Sequence, residues 1–415
     1  MTNDIEKSTN ETTFKLWNKN FILLWQGQLI SSLGDIVYEV AISFFILKLT
    51  GSTLMMSYLL AATLLPRLLL SPIAGILADK WNRKNIIIWA DLVRGVAILG
   101  LGLAGIFGFI SLWMLFATGF IIGVGGAFFN PAINSTIPDL TPKSRIMEAN
   151  SAFSLIYGAS SLLGYFLGGF FYPILGAFVF FIINGSSYII SAILEIFISI
   201  PANQDQVPSK SNILTDLKNL PKIITEIKGL RYLLVSNAFI SFFSILGVTL
   251  ILPYFERKAE WGPSFYGILM TCFTLGTILG LLALTKIKIH SKYHTSIYLG
   301  ATISFSLLLF LTPFISNFWI LLLPVTLAGF TNSAIIVIEK VALQLSVLPE
   351  NRSKVFGVWS TISSSLIPLG MISAGVLANF YDIKILISAS FAVIGIFGFV
   401  LIFSRSFKSF LNLEN

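Results

Sequence analysis

Twelve runs of mostly apolar residues dominate this sequence: 21–47, 54–78, 86–107, 111–137, 149–172, 175–198, 232–255, 263–284, 295–315, 318–345, 356–379 and 384–404. About 20 such residues in a helix cross the hydrocarbon core of a bilayer. Lipid offers the backbone no hydrogen-bond partner, so each run must form a helix that satisfies its own N–H and C=O groups. Composition excludes the alternative. Only 11% of the 415 residues are charged, against about 25% in soluble domains. A soluble chain of this length would divide into several cores, each needing a polar shell, and too little polar sequence exists to build them. The expected fold is an all-α polytopic membrane protein with twelve transmembrane helices in two pseudo-symmetric six-helix bundles.

The longest polar stretch, 199–231, separates six spans from six and carries Lys210, Lys218, Lys222, Lys228 and Arg231. The expected organisation is an N-terminal tail (1–20), a six-helix bundle (21–198), an amphipathic cytoplasmic linker (199–231), a second bundle (232–404) and a tail (405–415). With both termini cytoplasmic, 20 of the 27 Lys and Arg residues fall in cytoplasmic segments. Only Lys48, Arg257, Lys258 and Lys384 fall in the outer loops, and the remaining three lie within spans. That asymmetry is the positive-inside pattern and sets the expected orientation in the cell membrane. The first twenty residues are polar and include acids, so no cleaved signal peptide is expected. The net charge of +8 resides in short loops, which argues for membrane topology and no nucleic-acid partner.

The two halves echo each other. Pro142-Lys143-Ser144-Arg145 after span 4 is matched by Pro349-Glu350-Asn351-Arg352 after span 10. Glycine-rich span 5 (Gly158, Gly164, Gly168, Gly169) is matched by span 11 (Gly357, Gly370, Gly375). Two repeated bundles are the plan of a secondary transporter with its site between the halves.

The loop between spans 2 and 3 reads Gly75-Ile76-Leu77-Ala78-Asp79-Lys80-Trp81-Asn82-Arg83-Lys84. It resembles the G-x-L-A-D-r-x-x-R-[KR] signature of the major facilitator superfamily, with Asn82 where that family usually has glycine. The resemblance implies the major facilitator fold and a cytoplasmic gate made by Gly75, Asp79, Arg83 and Lys84. Physically, Gly75 permits close helix contact, Asp79 can face a helix N-terminus, and Arg83 and Lys84 can pair with Asp139 or Glu148. The matching loop of the second half keeps Gly280 but has Leu284 near the acid position.

Gly34-Asp35, Leu49-Thr50-Gly51-Ser52, Pro66, Pro72 and Ala90-Asp91-Leu92-Val93-Arg94 resemble the macrolide and multidrug exporter branch, which includes siderophore exporters. That resemblance implies proton-antiport efflux of amphipathic drugs and, with it, antibiotic resistance. Span 5 departs from the antiporter signature: Tyr165 follows Gly164, and the proline expected before the final glycine pair is absent.

Eight charges lie inside spans: Asp35, Glu39, Arg67, Asp91, Arg94, Glu195, Glu339 and Lys340. Each costs about 2.5–3.5 kcal/mol at a helix centre and is kept where it faces a cavity or a partner. In span 1, Gln28, Ser32, Asp35, Glu39 and Ser43 share one helical face, a polar stripe that cannot face lipid. Asp35 and Glu39 repel at i,i+4 in a low dielectric, so at least one is expected to hold a proton near neutral pH, as proton coupling requires. A structural carboxyl near the outer mouth is the alternative for Glu39. Glu339 in span 10 is the third candidate coupling residue, since multidrug relatives often use a carboxylate there to attract cations. Asp91 and Arg94, at i,i+3, either neutralise each other or belong to the gate network. Glu195 lies near its helix end, where water can reach it, and is read as structural. Candidate cavity residues are Gln28, Ser32, Arg67, Asn130, Asn134 and Asn332. Arg67 is also a candidate partner for Asp35 or for an anionic cargo.

No enzyme is expected. An intramembrane hydrolase needs a nucleophile with a base, or a metal centre. The only histidines, His290 and His294, share one polar loop, and the one cysteine, Cys272, sits in an apolar run. No cofactor, metal or catalytic residue is therefore assigned. The expected partners are an amphipathic small molecule, protons and the lipid bilayer, and the expected assembly is a monomer. A siderophore, lipid or metabolite is the alternative cargo.

Overall fold

The computed structural model describes residues 16–199, 229–258, 260–287, 289–347 and 349–412, without the side chains at 76, 79, 80, 143, 349–354 and 357. The expected amphipathic linker therefore lies almost wholly outside the described residues. So does the side chain of Asp79, the central acid of the expected gate.

The described residues form helices α1 (Lys19–Thr50), α2 (Thr53–Lys80), α3 (Arg83–Ile106), α4 (Leu112–Asp139), α5 (Ile146–Ile196), α6 (Leu230–Arg257) and α7 (Gly262–Lys286). They continue as α8 (His294–Phe310), α9 (Phe318–Ser346), α10 (Pro349–Ser365), α11 (Ile367–Leu377), α12 (Ile383–Leu401) and α13 (Arg405–Leu411). Among the described residues, eleven helical segments are long and apolar enough to cross a membrane. One of them, the 51-residue α5, is two helices merged across a kink at Gly176, where φ is +73°. Two arms make two crossings, which brings the total to twelve. The loop expected near residues 173–174 is thus replaced by a single left-handed residue, a conformation that costs glycine little. Span 11 is likewise interrupted: α10 ends at Ser365 and α11 restarts at Ile367, with Pro368 in its first turn. Proline has no N–H to give the preceding turn but is accommodated in a first turn.

Asn82, the departure from the loop signature, is the N-cap of α3, its side chain accepting from the backbone N of Asn85. Asparagine is among the best N-caps, so the substitution gains a helix start where glycine would leave the donor bare. Asn317 and Asp382 cap α9 and α12 in the same way.

The helices gather into two compact units. One holds the described residues to Phe45 and from Ala62 to 199, the other Ile46–Ala61 and the residues from 229 onward. In the first, Phe21, Leu24, Ile87, Ile133, Phe153 and Ile156 belong to one buried cluster at the end that carries Arg83. Gly185 of α5 lets that helix meet α3 backbone to backbone: a Cβ there would stand 2.7 Å from Leu99 N. Small residues at such contacts are how membrane helices gain packing without a hydrophobic drive. The second unit contains an aromatic cluster of Phe255, Trp261, Tyr266 and Phe318. Its short helix α13 is held by His294 Nδ1 against Leu411 O (3.1 Å) and by Thr295 Oγ1 donating to Lys408 O (3.2 Å).

Candidate functional site

The polar stripe of α1 meets a second one on the C-terminal arm of α5. Asn184, Tyr188, Ser191 and Glu195 recur there at steps of 4, 3 and 4, so they also share a face. Gly34 brings the helices together: a Cβ at 34 would stand 2.5 Å from Asn184 Oδ1 and 2.6 Å from Ser187 Oγ. The neighbouring Asp35 then receives two donors on its Oδ1, the Tyr188 hydroxyl at 2.6 Å and Asn184 Nδ2 at 3.4 Å.

Arg94 of α3 extends this network. Its Nη1 donates to the Tyr188 hydroxyl (3.1 Å), its Nε to Ala90 O (3.1 Å), and its Nη2 to Asp91 Oδ1. The guanidinium lies between the rings of Tyr188 (4.3 Å) and Phe129 (4.5 Å), a stacking that suits a planar cation away from water. Gly125 of α4 leaves room for its stem, since a Cβ there would stand 2.7 Å from Arg94 Cγ. One helical turn beyond Ser191, that residue's hydroxyl donates to Glu195 Oε1 at 3.3 Å. Asp91 and Glu195 are buried, at 0% and 1% exposure. This corrects the expectation that water reaches Glu195.

The second unit holds its own carboxylate. Glu339 of α9 is 3% exposed and is gripped on both oxygens. The Tyr298 hydroxyl donates to Oε1 (2.8 Å) and Asn237 Nδ2 to Oε2 (2.7 Å). Ser363 donates in turn to Asn237 Oδ1, which fixes the amide so that its NH2 points at the acid. Asn332 is half-buried and Lys340 is exposed.

At the loop between α2 and α3, Arg83 pairs with Asp139 at 2.7 Å and reaches Ser135 O at 3.3 Å. Lys84 Nζ donates to Ile196 O at 2.7 Å, while Glu148 pairs with Arg145 at 3.3 Å. Among the described residues the close contact expected at Gly75 is absent, for a Cβ there would meet none of them within 4 Å. α2 makes its tight approach at Thr63, whose carbonyl would stand 2.2 Å from a Cβ on Gly123 of α4.

The remaining candidates are scattered. Gln28 is buried, Ser32, Asp35 and Asn130 are half-buried, and Glu39, Arg67 and Asn134 are exposed. No ion pair joins Arg67 to Asp35; the stem of Arg67 runs past Gly126 instead. Asp91 and Arg94, grouped by sequence with the gate, stand with Asp35 and Tyr188. Tyr188, Asn184, Tyr298 and Asn237 are contributors that sequence reading missed. The polar spacing in residues 184–195 was a usable signal for the first pair. Nothing local marked the second. An apolar cavity of about 80 Å³ lies among Ile251, Phe255, Met270, Phe273, Leu309 and Val325 of the second unit. Drug-sized ligands occupy about 300–1,000 Å³, so this space is too small for one.

Residues 12–409 match a family model described as transmembrane secretion effector. Macrolide efflux protein A of Streptococcus pyogenes is 24% identical over 370 residues, covering 88% of this chain and 90% of the relative. The multidrug efflux pump Tap of Mycolicibacterium fortuitum is 22% identical over 375 residues, covering 86% and 89%. Among solved structures, a D-xylose–proton symporter superposes with a TM-score of 0.70 at 13% identity, covering 93% of this chain and 97% of that one. A bacterial homologue of the lysosomal transporter Spinster superposes with a TM-score of 0.64 at 16% identity, covering 96% and 97%. Twelve crossings in two bundles and a family match over nearly the whole length agree: this chain is a multi-pass membrane protein that belongs to the major facilitator superfamily of transporters.

Proposed function

We propose that this protein is a secondary active exporter in the cell membrane, with both termini cytoplasmic, that expels amphipathic compounds such as macrolides in exchange for protons. The observation that carries this reading is the Asp35 cluster. A carboxylate inside a membrane span is expensive and is retained for function, and this one is held by Tyr188, Asn184 and, through Tyr188, Arg94. Proton binding at Asp35 removes its charge and its pull on Arg94, which biases one of two facing states; substrate release is tied to that bias. Glu339, gripped by Tyr298 and Asn237, serves the second bundle in the same way or attracts a cationic cargo. Glu39 is a third proton acceptor on the α1 stripe. Arg83 with Asp139, together with Gly75, Asp79 and Lys84, acts as the cytoplasmic gate of the bundle 21–198, which the linker joins to the bundle 232–404. The efflux relatives support the direction of transport and the cargo class.

The test is pH-gradient-driven efflux of ethidium and of erythromycin from proteoliposomes holding the purified protein, with and without an uncoupler. Efflux that stops with the uncoupler supports the reading. Coupled efflux that survives Asp35→Asn sinks it. Arg67, an exposed cation within a span, favours one second reading, an anionic cargo such as a siderophore or metabolite. A substrate panel under iron limitation against antibiotic challenge separates the two.

A further inference from the structure

Glu195 has no part in the mechanism above, yet it closes the far end of the same buried network. The network joins three carboxyls, Asp35, Asp91 and Glu195, to a single guanidinium, whose charge acts on all three. One cation balances one anion. Arg67 acts on Asp35 from the other side, so two cations face three carboxyls, and ionising all three would leave one unbalanced negative charge, which is costly in a low dielectric. Geometry says where protons must sit. Asp91 Oδ1 has Arg94 as donor. Asp91 Oδ2 and Glu195 Oε2 are buried and receive no donor from any described residue. Glu195 has a single hydroxyl donor, Ser191, at 3.3 Å, and Ser191 faces Asp91 as well. A proton on Glu195 supplies the donor that this pair of buried, unpartnered oxygens lacks.

We propose that Glu195 is a second proton-binding carboxyl of the first unit, charge-coupled to Asp35 through Arg94. The inference rests on the proton-coupled reading above and deepens it. Arg94 keeps its proton throughout and shares one charge between two ends: Asp91 directly, and Asp35 by way of the Tyr188 hydroxyl. When an O–H bond forms at Asp35, the guanidinium loses an anion at that end and attracts the other end more strongly. The O–H bond of Glu195 then breaks, its electron pair stays on the carboxylate, and the proton passes to water that reaches the nearby end of α5 in the other facing state. One proton enters and one departs, so the charge of the network is unchanged. Seven residues separate Tyr188 from Glu195, which at about 1.5 Å per residue moves the proton site by about 10 Å along the helix. The charges acting on Glu195 itself are Asp91 and Arg94; Asp35 and Arg67 act at the other end.

The experiment uses the full-length protein in lipid, with the proton as its own probe. Infrared difference spectra report the C=O stretch of protonated carboxyls and its isotope shift in D2O. Glu195→Gln is expected to delete one such component at neutral pH. Ser191→Ala, a small change that covers the case of a poorly folding glutamine variant, is expected to move that component's frequency. Asp35→Asn frees Arg94 for the other end and is expected to diminish the Glu195 component. A spectrum unchanged by both Glu195→Gln and Ser191→Ala overturns the proposal, even where ethidium efflux proves to be proton-driven. A Glu195 component indifferent to Asp35→Asn overturns the charge coupling. Deletion of the component in a protein that shows no proton-driven efflux upholds proton binding at Glu195 and overturns only the coupled-export reading. In an active protein, Glu195→Gln is also expected to cut gradient-driven efflux about tenfold while leaving substrate counterflow within about twofold, a split that a merely structural residue would not produce.

Discussion

Tyr188→Phe removes one oxygen and leaves the ring, so it isolates the hydroxyl that links the two ends of the network. That oxygen makes two bonds, donating to Asp35 Oδ1 at 2.6 Å and accepting from Arg94 Nη1 at 3.1 Å. Bonds to charged groups contribute about 1.5–3 kcal/mol each, against about 0.5–1.5 for neutral pairs. Arg94 retains Ala90 O, Asp91 and both aromatic faces, so its share of the loss is small. Asp35 keeps only Asn184 at 3.4 Å, a long bond, and bears most of the cost. The expected destabilisation is about 2 kcal/mol. In an Asp35→Asn background the same hydroxyl faces a neutral amide, and its removal should cost about 1 kcal/mol. The double-mutant cycle should therefore show a coupling of about 1 kcal/mol. Equilibrium unfolding of the four proteins in mixed SDS micelles measures it. If the two single effects add to within about 0.4 kcal/mol, the additivity seen for independent sites, the link from Tyr188 to Asp35 is refuted.

Other predictions concern packing and the gate. Gly123→Ala places a methyl 2.2 Å from the Thr63 carbonyl, whereas Gly126→Ala places one 3.6 Å from the Arg67 stem, an ordinary van der Waals contact. Thermal unfolding in detergent should show about 1–3 kcal/mol lost in the first, the usual cost of overpacking, and a change within about 0.5 in the second. Arg83→Asp and Asp139→Arg should each impair efflux by leaving like charges at a pair now 2.7 Å apart; the double swap should recover most of it, and a double variant no better than the singles would exclude that pair from the gate. Gly229→Ala puts a methyl 2.4 Å from Phe410 Cβ at a residue with φ +90°, so α13 should detach and become cleavable by protease while the spans persist.

How much of this was readable in advance varied with the range of the interaction. The pair Asp91–Arg94 was legible because i,i+3 neighbours on a helix meet whatever else happens. The pair Arg83–Asp139 was legible because both sit at adjacent loop ends. Tyr188 with Asp35 was not, since 153 residues separate them and no local rule brings α1 against α5. Glu195 was misread for a related reason. Its position near a helix end suggested water, but the packing of α1 and α3 over Ser191 covers it.

Sequence alone determined the solvent, the number of crossings and the short list of charges worth asking about. Those follow from the length of an apolar run, the distribution of Lys and Arg, and the cost of charge in lipid, all of which are properties of single segments. Tertiary structure decided which of those charges share a site. It set Arg94 between two acids on different helices, buried Glu195, and gave Glu339 a tyrosine and an asparagine from two other helices. These pairings depend on how closely backbones approach, and that depends on single glycines such as Gly34 and Gly125, whose effect appears only once the neighbouring helix is in place.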